Sequence, residues 1–337
     1  TAGGLGDVLL STCVIQALAD AYPQAQIDFL CLAKNAAVLE GHPALRRVLK
    51  TDRKAPRAGR DWLAWVQQLR QEKYDAALVL WSATGLAWML LAAGIPIRVG
   101  QDSRLMYSFT YTHKVRVRSE HGDSQTHWTD ILLDYVRALG VEPARAQVHF
   151  APDEASRERA AEIAKPLEGP LVGFHSTKGL QMETARWPTA AFASWARAVH
   201  DQLGATLIFT GTPADQDIVD SIVSQAALTR AVNLCGQTNL PTLAALAQRC
   251  DVFVCPDSGP MHVAAAAGAR VVGIYALEED FPKRWAPYCD NYRVIRPQPT
   301  GCRSGCIKAT CPDFRCYFQV RPDQVVAAVS ELYEKSR

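Results

Sequence analysis

Nearly the whole chain alternates short β-rich runs with helix-length amphipathic segments, and this alternation leaves it few folds. In the first half, residues 27–31 and 76–81 read as buried strands, and residues 8–21, 62–71 and 129–140 read as helices. In the second half, strand runs at 171–175, 206–210, 232–235, 252–255 and 271–275 are separated by helical patterns at 189–203, 213–225, 241–249 and 260–268. Strands spaced this way have room for helical crossovers, so they pair in parallel and carry helices on both faces. The expected class is α/β with parallel sheets.

A length of 337 residues is too great for one ordinary α/β core and comfortable for two. The break is expected between residues 150 and 170, where Pro152, Pro166, Gly169 and Pro170 punctuate a charged helix. This gives an N-terminal domain over 1–150 and a C-terminal domain over 170–320. A last amphipathic helix follows over 321–337, with Val325, Val329 and Leu332 on one face. An α/β domain normally begins on a strand, whereas this sequence opens on a glycine-rich loop. The first strand is therefore expected to be absent from it. Lys and Arg total 36 against 34 Asp and Glu, so no global field favours nucleic acid, and local sites must select any anionic ligand. No uninterrupted apolar run reaches the roughly 18 residues of a membrane-spanning helix, and no basic-then-apolar leader precedes the fold.

Four segments carry candidate chemistry. Gly3-Gly4-Leu5-Gly6-Asp7 runs straight into a helical pattern, so its glycines allow close backbone approach and the helix start presents free N–H groups. Position 9 is Leu where a dinucleotide fingerprint requires its third glycine, which argues against a nicotinamide site. On spacing alone, Asp7 reads equally as a carboxylate favoured by the helix dipole. The second segment is His175-Ser176-Thr177 at a strand end, with Arg186-Trp187-Pro188 at the next helix entry, a pattern that suits phosphate oxygens but reads on its own more readily as an ordinary loop with a surface arginine. In the third, Thr212, Pro213 and Asp215 form a helix-capping pattern that accounts for every residue of the Asp215-x-Asp217 pair without a metal, while leaving a carboxylate able to accept ribose hydroxyls. The fourth is the most specific. A buried strand delivers Asp257-Ser258-Gly259, then Pro260-Met261-His262 opens a small-residue helix, aiming backbone N–H groups at one point as a pyrophosphate requires. His262 itself reads as a buried helix histidine.

In this order the four segments resemble the heptosyltransferase family of GT-B glycosyltransferases. Gly6-Asp7 is similar to the family's opening Gly-Asp, and His175, Thr177 and Arg186-Trp187-Pro188 are similar to its His-x-Thr, basic, Trp-Pro pattern. Asp257-Ser258-Gly259 and His262 are similar to its Asp-Thr/Ser-Gly-x-x-His signature. The resemblance implies two Rossmann-like domains facing across a cleft, with the last helix crossing back towards the first domain. It implies transfer of heptose from ADP-heptose to the inner core of lipopolysaccharide, in one inverting displacement that requires no metal. Asp7 is then the general base. Thr177, Arg186 and the helix start at Ser258–Gly259 hold the departing diphosphate, with Lys178 sharing that role. Asp257 holds donor hydroxyls, Asp215 or Asp217 the ribose, and Gly6, Thr212 and His262 complete the donor site. The implied acceptor is lipid-linked and the implied location cytoplasmic, with peripheral contact at the inner face of the inner membrane. The basic stretch Arg98, Arg104, His113, Lys114, Arg116 and Arg118 either meets an anionic acceptor or is a solvated charged strand.

Ten cysteines divide into two groups. Cys13, Cys31, Cys235, Cys250, Cys255 and Cys289 are scattered and read as small buried hydrophobes in a reducing compartment. Cys302, Cys306, Cys311 and Cys316 lie close together and read as thiolates for a structural zinc or iron–sulfur cluster, with thiols or disulfides as the alternative. Three other functions stay open at this level: transfer from a different nucleotide sugar, epimerisation of one, or ligand binding without catalysis.

Overall fold

The opening glycine loop feeds directly into helix α1 (Leu5–Leu10), and Ser11 separates it from α2 (Thr12–Ala21). The single helix expected over 8–21 is thus two. Ser11 turns its Oγ back to donate to the Asp7 carbonyl at 2.6 Å, the local competition that makes serine a poor interior helix residue. The computed structural model describes residues 3–52, 59–81, 83–177, 187–277, 280–298, 311 and 314–335. Its chain divides into two compact units, Thr1–His149 and Phe150–Arg337.

In the first unit the helices are followed by β1 (Ile27–Leu32), β2 (Leu45–Thr51), α3 (Arg60–Glu72), β3 (Ala76–Leu78), α4 (Thr84–Ala92), β4 (Ile97–Gln101), β5 (His113–Val115) and α5 (Trp128–Arg137). Strands β1 and β2 form one parallel pair, and β3, β4 and β5 a second parallel sheet in that order. Asp28 ties the first pair together, accepting hydrogen bonds from Arg46, Arg47 and Tyr74. Burial opposes its ionisation, but the three donors outweigh burial and pull the carboxyl down to about 2. The basic stretch is largely neutralised locally. Arg98 donates to the carbonyls of Ile95 and Thr110, Arg104 pairs with Glu120, and Arg118 pairs with Asp130 and Asp134.

The second unit runs α6 (Glu154–Ala164), β6 (Leu171–His175), α7 (Thr189–Leu203), β7 (Thr206–Thr210), α8 (Gln216–Gln225), β8 (Ala231–Asn233), α9 (Leu240–Arg249), β9 (Val252–Pro256), α10 (Gly259–Ala266), β10 (Val271–Ile274), β11 (Tyr292–Ile295) and α11 (Pro322–Glu334). All six strands are parallel, in the order β11-β10-β9-β6-β7-β8. The chain builds outward from β6 through β7 to β8, then returns to lay β9 against the other side of β6. The boundary between β6 and β9 is therefore the topological switch point, the place where open α/β sheets leave a crevice at their strand C-termini.

The core beside this sheet is rich in aromatic rings. Trp187 stacks on Phe192 with ring centroids 5.6 Å apart and meets Tyr317 at 5.4 Å, while Phe192 lies 4.6 Å from Trp195. Trp195 donates its indole N–H to the Val320 carbonyl at 2.9 Å, fixing the chain just before α11, which packs on α7. Cys13, Cys31, Cys235, Cys250 and Cys255 are buried as expected, and Cys289 is half-buried. Among the described residues, no helix is long and apolar enough to cross a membrane.

Candidate active site

Each unit brings one group of the candidate residues together. In the first unit the carboxylate of Asp7 folds back over the start of its own helix and accepts the Gly4 N–H at 2.7 Å. Glycine is needed at position 3 for this fold-back, since a Cβ there would stand 2.5 Å from the Asp7 Cβ. The loop is pinned from the other side by the buried Asn35, whose side-chain amide donates to the Gly3 carbonyl at 2.8 Å. Gly6 occupies the first turn of α1 beside Asp7. Burial raises the Asp7 carboxyl above its ordinary value, with the Gly4 N–H pulling the other way. The arrangement is both a helix cap and a carboxylate with enhanced proton affinity.

In the second unit the C-terminal end of β6 carries His175, Ser176 and Thr177, all buried. His175 bridges two hydroxyls, with Nδ1 3.1 Å from Thr210 Oγ1 at the end of β7 and Nε2 3.5 Å from Thr177 Oγ1. Burial depresses the imidazole to about 4, so it is neutral at physiological pH. Its role is to hold Thr177 and the β6–β7 edge in register. The Trp187 indole N–H donates to the Ser176 carbonyl at 2.7 Å, so the helix-entry tryptophan clamps the loop that precedes it.

On the other side of the switch point, β9 delivers Asp257, Ser258 and Gly259. Phe174 pairs with Val254, so Thr177 and Asp257 each lie three residues beyond the same rung, at the same edge of the sheet. Asp257 is tied to β10 by its N–H, which donates to the Ile274 carbonyl at 3.1 Å. Ser258 is the N-cap of α10 but makes no side-chain cap; its hydroxyl lies 3.2 Å from the Cys255 sulfur. An N-cap hydroxyl turned away leaves the helix start open to an anion. His262 is buried one turn inside α10, with its ring edge-on to Trp285 at 6.5 Å.

The third loop, after β7, forms the capping box its sequence predicts. One Asp215 oxygen accepts both the N–H and the hydroxyl of Thr212 at 2.7 Å, while Asp217 is exposed in α8. Lys178, Arg186, Cys302 and Cys306 lie outside the described residues. Cys311 and Cys316 pack with the aromatic core, and among the described residues no three His, Cys, Asp or Glu side chains come together as a metal site.

Two residues beside this edge carry no recognisable sequence signal. Thr210 is the hydrogen-bonding partner of His175. Tyr317 is fully buried, and its hydroxyl has no hydrogen-bond partner among the described residues. Burial, reinforced by the Asp280 and Asp257 carboxylates, holds the Tyr317 phenol well above its ordinary value.

Residues 62–313 match the model of glycosyltransferase family 9 (heptosyltransferase). The lipopolysaccharide core heptosyltransferase OpsX of Haemophilus influenzae is 26% identical over 296 residues, covering 86% of this chain and 81% of its own. A solved glycosyl transferase family 9 protein from Veillonella parvula superposes with a TM-score of 0.80 at 24% identity, over 99% of this chain and 96% of its own. The ADP-heptose lipopolysaccharide heptosyltransferase II of Escherichia coli superposes with a TM-score of 0.76 at 22% identity, over 98% and 96%. These structures share the α/β, parallel-sheet architecture of the GT-B fold. With the family matched across most of its length, and the signature loops at their strand ends, the chain belongs to glycosyltransferase family 9, the heptosyltransferases.

Proposed function

We propose that the protein transfers heptose from ADP-heptose to the inner core of lipopolysaccharide by a single inverting displacement. The observation that carries this reading is the pair of loops flanking the switch point. Thr177 and Asp257 start from the same sheet edge, beside a helix start whose own N-cap leaves it open. Such an edge supplies fixed donors where charge develops on a leaving diphosphate. Arg186, directly before the clamped Trp187, adds a permanent positive charge by its place in the sequence, and Lys178 extends the Thr177 loop. Asp257 holds sugar hydroxyls and Asp215 the ribose, with Gly6, Thr212, Gly259 and His262 completing the donor contacts.

Asp7 is the base in this reading. It takes the proton of an acceptor hydroxyl as that oxygen bonds to the anomeric carbon. The anomeric C–O bond breaks on the opposite face, and ADP leaves with the electron pair. Raised proton affinity suits the role, since a base works best with a pKa near the operating pH. The lipid-linked acceptor places the protein at the cytoplasmic face of the inner membrane, as a peripheral enzyme. The two described thiols of the cysteine cluster, Cys311 and Cys316, meet one core and suit thiolate ligation of a structural zinc or iron–sulfur cluster completed by Cys302 and Cys306; elemental analysis of the purified protein tests this.

The test of the function is calorimetric titration with ADP, UDP, GDP and NAD, with and without Mg²⁺, followed by transfer assays on wild type and Asp7→Asn. ADP binding that ignores Mg²⁺, and a variant that binds ADP but does not transfer, are expected. A preference for UDP or GDP reassigns the sugar donor, and a fully active variant removes Asp7 from the base role.

A further inference from the structure

Three local costs meet around one side chain of the second unit, Trp187. The first is the hydroxyl of Ser176, which is fully buried and has no hydrogen-bond partner among the described residues. Its surroundings at the strand end are satisfied: the hydroxyls of Thr177 and Thr210 both meet His175, and the Ser176 carbonyl accepts the Trp187 indole N–H at 2.7 Å. The second is the hydroxyl of Tyr317, equally buried and equally without a partner among the described residues, on a ring 5.4 Å from that of Trp187. The third is Phe314, which leads into the turn that carries Tyr317. It is fully buried, lies 5.5 Å from Trp187 and takes φ 46° and ψ 34°, the left-handed region that a bulky side chain enters only at a cost.

Packing alone does not account for these costs. The ring of a phenylalanine and the methyl of an alanine would fill the same core without stranding a hydroxyl, and a buried hydroxyl without a partner lowers stability. Buried polar side chains are bonded in the large majority of cases. Two orphans and a strained residue around one tryptophan mark a place where local rules yield to function.

Their position gives the kind of partner. Ser176 directly precedes Thr177, and by the alternation of Val172 and Phe174 along β6 it falls on the face that carries Trp187 and Tyr317. The Tyr317 phenol feels the carboxylates of Asp280 and Asp257, which lie beyond the ends of β10 and β9, so it belongs to the same edge of the sheet. Burial and those carboxylates keep it protonated, able to give a hydrogen bond and unable to carry charge. Two neutral O–H donors at the edge where α10 starts match an oxygen-rich anion, whose charge strengthens each bond it accepts. We infer that the Ser176 and Tyr317 hydroxyls donate to the diphosphate of the nucleotide sugar and act as specificity residues of the donor site. This rests on the proposed function and extends the donor site to two side chains outside its motifs. Neither O–H bond breaks; both stay in place as charge gathers on the leaving diphosphate.

The experiment is calorimetric titration of the full chain with ADP, in wild type, Ser176→Ala and Tyr317→Phe, alongside thermal unfolding of each protein without nucleotide. Each variant is expected to bind ADP about 10-fold or more weakly, as the loss of one hydrogen bond to a charged group requires. Its unfolding midpoint without nucleotide is expected to equal or exceed that of wild type, because the substitution removes a buried polar group that no described residue satisfies. Unchanged ADP affinity in either variant overturns the inference. So does weaker binding that comes with a lower midpoint, for then the hydroxyls brace the fold, through buried water or through the core. A wild type that binds ADP while the variants match it leaves the functional reading standing, whereas a wild type that binds no ADP brings down both.

Discussion

A methyl group on Gly3 would stand 2.6 Å from Oδ2 of Asp7. The Asp7 Cβ stands closer still, at 2.5 Å, so the two residues cannot keep their places if position 3 carries any side chain: the loop or the helix start must shift and take the carboxylate with it. On the proposed reading of Asp7 as the base, Gly3→Ala is expected to lower kcat by about 10-fold or more, since misplacing a general base forfeits much of its contribution, while ADP affinity is unchanged. Steady-state kinetics with ADP-heptose checks this. Unaltered kcat would show that the fold-back of Asp7 is a cap with no bearing on turnover.

As the proposed base, Asp7 is also expected to set a pH limb. Burial raises its folded-state pKa, and a base must be ionised, so activity is lost as pH falls through a value above the ordinary carboxylate range. In Gly3→Ala the added methyl displaces Asp7 from its buried position, and the limb is expected to move to lower pH. The acid side of the kcat profile, compared between the two proteins, is the measurement. A limb that stays in place, or moves upward, removes burial as its cause.

His175 governs acid stability in the second unit. Its folded-state value of about 4 lies below the ordinary 6.5, so the neutral ring stabilises the fold above pH 6.5 and that contribution is lost as pH falls towards 4. The full loss is on the order of 3 kcal/mol. His42, buried in the first unit beside His149, is depressed to about 4 in the same way and adds to the acid sensitivity. His175→Gln retains an amide able to reach Thr210 but does not titrate, so urea unfolding at neutral and mildly acidic pH should show a shallower dependence than wild type. Equal dependence in both proteins would assign the effect elsewhere.

How much of this was readable in advance follows from how each element is stabilised. Strands β6 and β7 and helix α7 appear over the residues their patterns predict, because buried parallel strands are continuous apolar runs and an amphipathic helix announces its period. Strand β2 escaped because Arg46, Arg47 and Lys50 make it look like a solvated loop; two of those charges are answered by Asp28, far away in the sequence. Asp257-Ser258-Gly259 stood out because a strand, tight turn and small-residue helix leave a local imprint. The pairing of its loop with Thr177 left none, since strand order is a property of contacts between distant segments. The same holds for Thr210 and Tyr317. The tryptophan of the Arg186-Trp187-Pro188 pattern, grouped in the sequence with a phosphate site, is instead buried in aromatic packing and holds the Ser176 loop through one hydrogen bond.

The adjacency of β6 and β9 also sets the order in which the second unit can mature. Leu171 donates its N–H to the Asp251 carboxylate across 80 residues of sequence, the largest separation bridged by neighbouring strands of this sheet. Pairings of high sequence separation are slow to form, because the entropy of closing a long loop is lost before the contact returns it. The β6–β7–β8 half can assemble from nearer contacts while the loops at Thr177 and Asp257 are still apart. If these loops hold the nucleotide as proposed, competence to bind it is expected late in folding, and nucleotide capture during refolding would serve as a clock for the closing step.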